Sequence, residues 1–93
     1  MNDFEILKNL KTNLNTMFGI EKIAVFGSVA RDEANINSDI DIAIIKIKEK
    51  NYFIRLEAKE YLEKHLNKKV DLGYFDSMRK VIQESIKKDM IYV

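Results

Sequence analysis

The stretch from Val25 to Ile45 carries the residues whose types and spacing indicate chemistry. Asp39 and Asp41 stand one residue apart at the start of an apolar run that reads DIDIAIIKI. Side chains at positions i and i+2 of a strand project from the same face, so we expect these two carboxylates about 6–7 Å apart. At that separation they repel each other by about 2–3 kcal/mol at an effective dielectric constant near 20. A divalent cation would reverse the sign of this interaction.

A third acid extends the same pattern. Asp71 lies between Val70 and Leu72 in a later apolar run, and it completes a three-carboxylate cluster if the two runs form neighbouring strands. Oxygen ligands without His or Cys suit Mg²⁺ or Mn²⁺ rather than Zn²⁺. Three acids can hold two Mg²⁺ ions, which stabilise the attacking and leaving oxygens of phosphoryl transfer. The alternative is that Asp39 ends a loop and Asp41 is an edge-strand charge that opposes aggregation.

Gly27 and Ser28 add a candidate phosphate loop. They follow the apolar run from Ile20 to Phe26, and a short helix is expected to start on Ser28. A helix that begins directly after a strand presents free N–H groups and the positive end of its dipole to a phosphate. Glycine allows close approach of the backbone, the Ser28 hydroxyl can bond a phosphate oxygen, and Arg31 can add positive charge. An ordinary turn with Ser28 as N-cap is the alternative, and the nearby acids favour the phosphate loop.

Apolar periodicity predicts the elements that position these residues. The predicted order α-β-α-β-α-β-α indicates an α/β (α+β) fold, a small mixed sheet flanked by helices. The predicted elements are a helix from Asp3 to Phe18 capped by Asn2 or Asp3 and ended by Gly19, a strand from Ile20 to Phe26, a short helix from Ser28, a polar loop from Asn35 to Ser38, a strand from Asp39 to Ile47, a helix from Asn51 to Leu66, a strand from Lys68 to Phe75, and a helix capped by Asp76 or Ser77 that runs to about Lys88 with Met78, Val81, Ile82 and Ile86 on its inner face. The final MIYV is either a short strand or a frayed end.

Composition narrows the possible functions. The 93 residues predict one domain, residues 1–93, and a net charge of +1 gives no global field towards nucleic acid or membrane. The absence of cysteine excludes disulfides and thiolate metal sites. No apolar run approaches the roughly 20 residues that span a bilayer, and the N-terminus has no unbroken apolar segment typical of a secretory signal. We therefore expect a cytoplasmic protein that binds neither membrane nor nucleic acid directly.

The motifs together resemble a known family. Gly27-Ser28, Arg31, Ser38 and Asp39-Ile40-Asp41 resemble the hG[GS] and DhDh signature of the DNA polymerase beta-type nucleotidyltransferase superfamily. The chain length, the GSxAR form and the Ser-Asp-x-Asp form are similar to the minimal nucleotidyltransferases, or MNT proteins. The resemblance covers nearly the whole chain. One departure is Asp32, which stands where many family members carry glycine after the motif arginine.

The resemblance implies transfer of a nucleotidyl group from an NTP to an acceptor hydroxyl, with release of pyrophosphate. It implies that Asp39 and Asp41 ligate two Mg²⁺ ions and that Asp71 completes the metal site and helps to activate the acceptor. Gly27 and Ser28 would hold the triphosphate, and Arg31 and Ser38 would be further nucleotide- and phosphate-binding residues. MNT proteins are commonly encoded beside HEPN-domain proteins and act as antitoxins to HEPN ribonuclease toxins. In that pairing the MNT partner can adenylylate the toxin on tyrosine, with ATP as substrate.

Three functions remain open from the sequence. The first is an antitoxin that transfers AMP to a partner toxin, and the second is an antitoxin that neutralises the toxin by contact alone. The third is a nucleotidyltransferase that acts on a small molecule or on RNA. The three acids favour the first over the second, because a binding module gains nothing from clustered repulsion. A chain this small has no second domain to enclose an acceptor, which favours a macromolecular acceptor over a small molecule.

Overall fold

The computed structural model describes residues 2–33 and 38–93, and its strands and helices alternate as the sequence predicts. The α/β class, with a mixed sheet flanked by helices, is confirmed. The elements are α1 (Asp3–Phe18), β1 (Ile20–Phe26), α2 (Gly27–Ala30), β2 (Ile40–Ile47), α3 (Tyr52–Leu66), β3 (Val70–Tyr74), a 3₁₀ turn (Phe75–Ser77), α4 (Lys80–Asp89) and β4 (Ile91–Tyr92).

The four strands form one sheet in the order β3-β2-β1-β4. β1 is antiparallel to both β2 and β4, whereas β2 and β3 are parallel. The sequence argument made the acid cluster depend on whether the strands carrying Asp41 and Asp71 are neighbours, and they are, because these two residues are direct register partners. Phe26, the last residue of β1, is the register partner of Asp41 on the other side.

The hydrophobic core lies on one face of this sheet. Leu7 and Leu14 of α1 and Leu62 of α3 are buried in one cluster with Ile42 and Ile44 of β2. These side chains recur with the helical period in α1 and α3 and with period two in β2, so each element turns one apolar side to the same layer. Burial of such side chains contributes about 1.5–3 kcal/mol each.

The opposite face carries the acids. Because side chains alternate along a strand, Asp41 projects away from the core, on the same side as Ala43. In β3, Asp71 and Gly73 also lie on the face opposite the core, because they are the register partners of Asp41 and Ala43. Phe26, the last residue of β1, also lies on this face, because it is the register partner of Asp41. The α1–α3 layer therefore stabilises the sheet without using the face on which the chemistry is expected.

The boundaries of α1 and β1 agree with their predictions. The Asn2 side chain accepts a hydrogen bond from the Glu5 N–H at 2.9 Å, so Asn2 is the N-cap. Gly19 ends the helix with a φ of 69°, a left-handed conformation that glycine adopts without steric cost. β1 then covers the predicted residues from Ile20 to Phe26.

Two boundaries near the candidate site differ from their predictions. α2 begins at Gly27 with Phe26 as N-cap, so Ser28 lies within the first turn and does not cap the helix. β2 begins at Ile40, and Asp39 is an exposed residue directly before it. Most of the predicted polar loop from Asn35 to Ser38 falls outside the described residues.

The last helix begins later than predicted. Asp76 and Ser77 belong to the 3₁₀ turn and cap nothing, and α4 starts at Lys80 after Arg79 in an extended conformation. Asp76 instead forms an ion pair with Lys50, with Nζ and Oδ1 2.6 Å apart. The chain thus makes a separate turn after β3 before it enters the helix.

The prediction for the inner face of α4 is wrong for most of its residues. Only Ile86 is buried within the helix, while Val81 and Ile82 remain 69% and 41% exposed. The helix lies beside α2 and Phe26, and its apolar side faces an open cleft rather than the core. Beyond it, the short strand β4 settles the alternative left open for MIYV. Within the described residues, no helix is long and apolar enough to cross a membrane.

Candidate functional site

Asp41 and Asp71 form the centre of the candidate site. Their Cα atoms are direct register partners on parallel strands, so both carboxylates project from the same face at neighbouring positions. Partial burial raises the pKa of Asp41, and the negative charges of Asp71 and Asp39 raise it further. The positive charge of Arg31 opposes this shift only in part. The predicted acid cluster is therefore close enough for its charges to interact.

Gly27 packs directly against the Asp41 side chain. A Cβ atom added to Gly27 would collide with Oδ2 of Asp41 and would lie 3.1 Å from its Cγ. The φ of Gly27 is 73°, in the left-handed region that residues with a side chain rarely adopt. Both observations require glycine here. This residue type lets the turn after β1 lie against Asp41 on β2.

Ser28 follows at the start of α2 and is half-buried. Phe26, the N-cap, has no side-chain capping bond, while the carbonyl of Gly27 accepts from the Arg31 N–H at 3.1 Å. The first N–H groups of a helix have no partner within the helix. Ser28 directly follows the glycine that contacts Asp41, and a phosphate oxygen could accept from its backbone N–H.

Arg31 extends from the end of α2 to two carboxylates. Its Nε lies 3.2 Å from Oε2 of Glu33, and its Nη1 lies 3.4 Å from Oδ2 of Asp89 in α4. The hydrogen bond to Glu33, with a further contribution from Asp89, raises the pKa of Arg31. A phosphate group at Arg31 would therefore compete with these two acids for the guanidinium.

Asp32 has a backbone conformation that accounts for glycine at the corresponding position of many similar proteins. Its φ is 58°, in the left-handed region. Aspartate is among the few residues with a side chain that visit this region, because its short polar group can hydrogen-bond locally. Asp32 thus keeps the tight turn after α2 and adds an exposed negative charge. Ser38, the other residue of the motif, is half-buried directly before Asp39.

The donor set fits a hard divalent cation, although the carboxylates are not yet arranged around one. In the parts of the chain that the structure describes, no three His, Cys, Asp or Glu side chains form a group that could hold a metal ion as they stand. All the acids supply oxygen ligands, and a cation would relieve the charge repulsion that, after burial, raises the pKa of Asp41. Mg²⁺ commonly uses one or two carboxylates together with substrate phosphates, so a nucleotide could complete its ligand shell.

Comparison with known proteins adds the decisive observation. Residues 7–93 match a family model described as a nucleotidyltransferase domain. The chain belongs to this family. It is a nucleotidyltransferase, an enzyme whose substrate is a nucleotide, and the resemblance found in the motif block is confirmed.

Two curated relatives of this nucleotidyltransferase carry more specific names. A candidate protein adenylyltransferase of Methanocaldococcus jannaschii is 44% identical over 93 aligned residues, which cover 96% of this chain and 92% of the relative. The protein adenylyltransferase MntA of Thermococcus cleftensis is 35% identical over 88 residues, which cover 95% of this chain and 89% of the relative.

Several solved structures similar to the nucleotidyltransferase come from toxin–antitoxin complexes. A chain of a toxin–antitoxin complex with AMP-PNP superposes with a TM-score of 0.77 at 27% identity, covering 99% of this chain and 72% of that one. A chain from the complex of a tri-AMPylated Shewanella oneidensis HEPN toxin with its MNT antitoxin superposes with a TM-score of 0.68 at 25% identity, covering 98% of this chain and 67% of that one.

Sequence reasoning missed one feature of the nucleotidyltransferase. A cleft of about 390 Å³ lies between α2 and α4, with Gly27 and Arg31 on one side and Val81 and Ile82 on the other. The apolar periodicity of α4 was visible, but it indicated an inner face and not a cleft. The two exposed apolar side chains are the signal that identifies this surface once the helix is placed.

Proposed function

We propose that this nucleotidyltransferase transfers AMP from ATP to a tyrosine hydroxyl of a partner HEPN-domain toxin, and that it acts as the antitoxin of that pair. The observation that carries the proposal is the arrangement of Gly27, Asp41 and Asp71. The glycine turn lies against one acid, and the other acid is the register partner of the first. The candidate phosphate loop after β1, the candidate metal ligand on β2 and the third acid on β3 thus lie side by side, because these strands are neighbours in the sheet.

This order suits an in-line displacement. Gly27 directly follows β1, Asp41 lies on the inner strand β2, and Asp71 lies on the edge strand β3. A triphosphate bound at the glycine turn would place its leaving pyrophosphate on the β1 side. The acceptor hydroxyl would then approach from the β3 side, where the sheet has no further strand within the described residues. A docked protein can reach such an open edge.

The chain's own residues have separate roles in the proposed reaction. The backbone of Gly27 and the hydroxyls of Ser28 and Ser38 bind the triphosphate. Asp39, Asp41 and Asp71 would hold two Mg²⁺ ions, which would supply positive charge against the developing charge on the phosphoryl oxygens.

Arg31 and Asp71 have the remaining roles. Arg31 binds the phosphates after it leaves Glu33 and Asp89. Asp71 takes the proton of the tyrosine hydroxyl as the new O–P bond forms, and the bond between the α-phosphorus and the bridging oxygen breaks to release pyrophosphate.

The comparisons support the acceptor class. The relatives are named as protein adenylyltransferases, and the HEPN toxin of one similar complex is AMPylated. The described sheet ends at β3, beside Asp71, and an acceptor protein can supply a wall at this edge. We therefore favour a protein acceptor over a small molecule or RNA.

The experiment incubates the protein with Mg²⁺, ATP labelled on the α-phosphate and a HEPN-domain partner protein. We expect the partner to gain the mass of one or more AMP groups, and peptide mapping should place them on tyrosine. Asp41→Asn should abolish transfer, while Asp76→Asn is a matched control because this acid lies beyond the opposite end of β3. Absence of transfer by the wild type contradicts the proposal, and equal transfer by Asp41→Asn contradicts the assignment of the site.

One observation favours a second candidate, an antitoxin that works by contact alone. Arg31, the expected phosphate ligand, is held by Glu33 and Asp89 rather than left free. If these two contacts persist when ATP is present, the triphosphate loses one positive charge. Transfer would then be slow, and neutralisation of the toxin would not require ATP.

A further inference from the structure

A second cleft, of about 560 Å³, lies where α3 ends and the edge strand β3 begins. Its lining is mostly basic and consists of Lys59, Glu63, Asn67, Lys68 and Lys69. Lys59 and Glu63 are four residues apart on α3, so their side chains share one face of the helix. Asn67 ends α3 with a φ of 55°, and the chain turns there before it enters β3. The fold thus places three lysines around one concave surface, which we call the basic cleft.

Two of the charged side chains at the basic cleft have partners within the protein. Oε2 of Glu63 accepts from the backbone N–H of the first residue of β3 at 2.9 Å, and Nζ of Lys68 lies 2.8 Å from Oδ2 of Asp3. Among the described residues, Lys59 and Lys69 form no ion pair. Their ammonium groups are therefore available to a negatively charged ligand.

The basic cleft adjoins the acids of the candidate site. The carbonyl of Lys69 accepts from the Ile40 N–H at 3.0 Å, which places Lys69 beside Asp39 where the two parallel strands begin. Asp71 follows two residues later, about 6–7 Å further along the strand. The acceptor hydroxyl is expected to approach on this β3 side, so the acceptor surface around that hydroxyl would reach the lysines as well.

We propose that the basic cleft binds an acidic segment of the acceptor protein, next to the hydroxyl that receives AMP. The inference rests on the proposed function, because it takes a protein as the acceptor and the β3 edge as its side of approach. The net charge of the whole chain is only +1, so attraction of the acceptor depends on local charges such as these lysines. Carboxylates of the acceptor would form charge-assisted hydrogen bonds with the ammonium groups.

The position of the basic cleft favours a peptide over RNA as its occupant. A peptide can place carboxylates in the cleft and an uncharged hydroxyl at Asp71. The evenly spaced phosphates of an RNA strand would continue from the cleft towards Asp39 and Asp71, which would repel them.

The first test measures the rate of AMP transfer with Mg-ATP while the concentration of a HEPN-domain partner protein is varied. Lys59→Gln/Lys69→Gln removes both available charges and adds no acid beside the metal site. Lys59→Arg/Lys69→Arg keeps the charges. Lys11→Gln/Lys48→Gln is the matched control, because both lysines are exposed and Lys48 follows the end of β2 that is opposite to Asp41.

We expect Lys59→Gln/Lys69→Gln to raise the KM for the partner roughly tenfold at low salt and to leave kcat and the KM for ATP unchanged, because the lost charges act on docking. Added salt should raise the wild-type KM towards that of the variant. The Arg variant and the control should behave as the wild type. An unchanged KM for the partner, or an equal increase in the control, overturns this inference and leaves the proposed function standing.

Binding of a fluorescent hexaglutamate peptide, measured by anisotropy, tests the basic cleft without any transfer. The wild type should bind the peptide, and Lys59→Gln/Lys69→Gln should lose most of this binding. If the two lysines bind an oligouridylate RNA and not the peptide, the inference is overturned. If the wild type transfers no AMP but binds the peptide through these lysines, the proposed function fails and the cleft remains a site for acidic segments.

Discussion

The backbone of Gly27 lies against the carboxylate of Asp41, at a distance that leaves no room for a side chain. A Cβ atom at position 27 would lie 3.1 Å from Cγ of Asp41 and closer still to its Oδ2. The contact joins the end of β1 to the second residue of β2, which are register partners through Phe26. It links the candidate phosphate loop to the candidate metal site through a single steric relationship.

This relationship predicts a coupling between two substitutions. Gly27→Ala should destabilise the fold by about 1–2 kcal/mol from the left-handed φ alone, with a further cost from the collision. Asp41→Ala removes Cγ and both oxygens, so the collision should largely disappear in the double variant. Urea unfolding of the four proteins measures the coupling. If the two changes are additive, the contact between them carries no energy.

The raised pKa of Asp41 predicts how stability depends on pH. The folded protein binds this proton more tightly than the unfolded chain, so the stabilisation is complete below the ordinary value of 3.8 and is lost as pH rises through the raised pKa. Without divalent metal, Asp41→Asn should therefore be more stable than the wild type at neutral pH, and this advantage should vanish in acid. Denaturant melts over a pH series check this, and an Asn variant less stable at neutral pH contradicts it.

Mg-ATP should reverse that order. A ligand at 100 times its dissociation constant stabilises the folded state by about 2.7 kcal/mol. We expect the wild type to gain this amount and Asp41→Asn to gain much less, because the variant loses a metal ligand. An equal increase in melting temperature for both proteins would show that Asp41 does not hold the metal.

Asp71 should affect turnover more than nucleotide affinity. If it takes the proton of the acceptor hydroxyl, Asp71→Asn should lower kcat by about 10²–10⁴-fold, the range typical of general base catalysis. Calorimetry with Mg-ATP should show a far smaller change in affinity. A variant with full kcat would remove Asp71 from the proposed mechanism, and Asp76→Asn is the matched control for loss of one acid.

Asn51 offers a stability change away from the site. Its Oδ1 accepts from the N–H groups of Phe53 at 2.8 Å and Ile54 at 3.2 Å, and so caps α3. Asn51→Ala should cost about 1 kcal/mol of folding free energy and leave ATP affinity unchanged. Altered ATP affinity in this variant would show that a loss of folding stability alone disturbs the site. The affinity changes of the site variants would then have to be compared with that of Asn51→Ala.

The sequence predicted the elements whose apolar pattern matched their final packing. α1 and β1 have the predicted boundaries because the apolar spacing is helical before Gly19 and typical of a strand after it. The place of Asp41 and Asp71 in two apolar runs of similar type predicted two strands, while the adjacency of these strands stayed a condition that the structure meets. The acids were visible because charge is rare in such runs.

The pattern could not show what α4 packs against. A helix with Val81, Ile82 and Ile86 at helical spacing has an apolar side, but the spacing does not say whether that side meets a core or a cleft. The contacts of Arg31 with Glu33 and Asp89 were also not predictable, since Asp89 is 58 residues away in the sequence. Similarly, the left-handed φ of Asp32 becomes visible only in three dimensions.

The most direct test of the central claim is the ratio of antitoxin to inactivated toxin. An enzyme turns over, so the wild type with Mg-ATP should inactivate a HEPN partner present in large molar excess and leave it AMPylated. Asp41→Asn should bind the partner but leave that excess active and unmodified. If neutralisation instead needs one antitoxin for each toxin, proceeds without ATP and is equally complete with Asp41→Asn, the catalytic account is contradicted and neutralisation by contact replaces it.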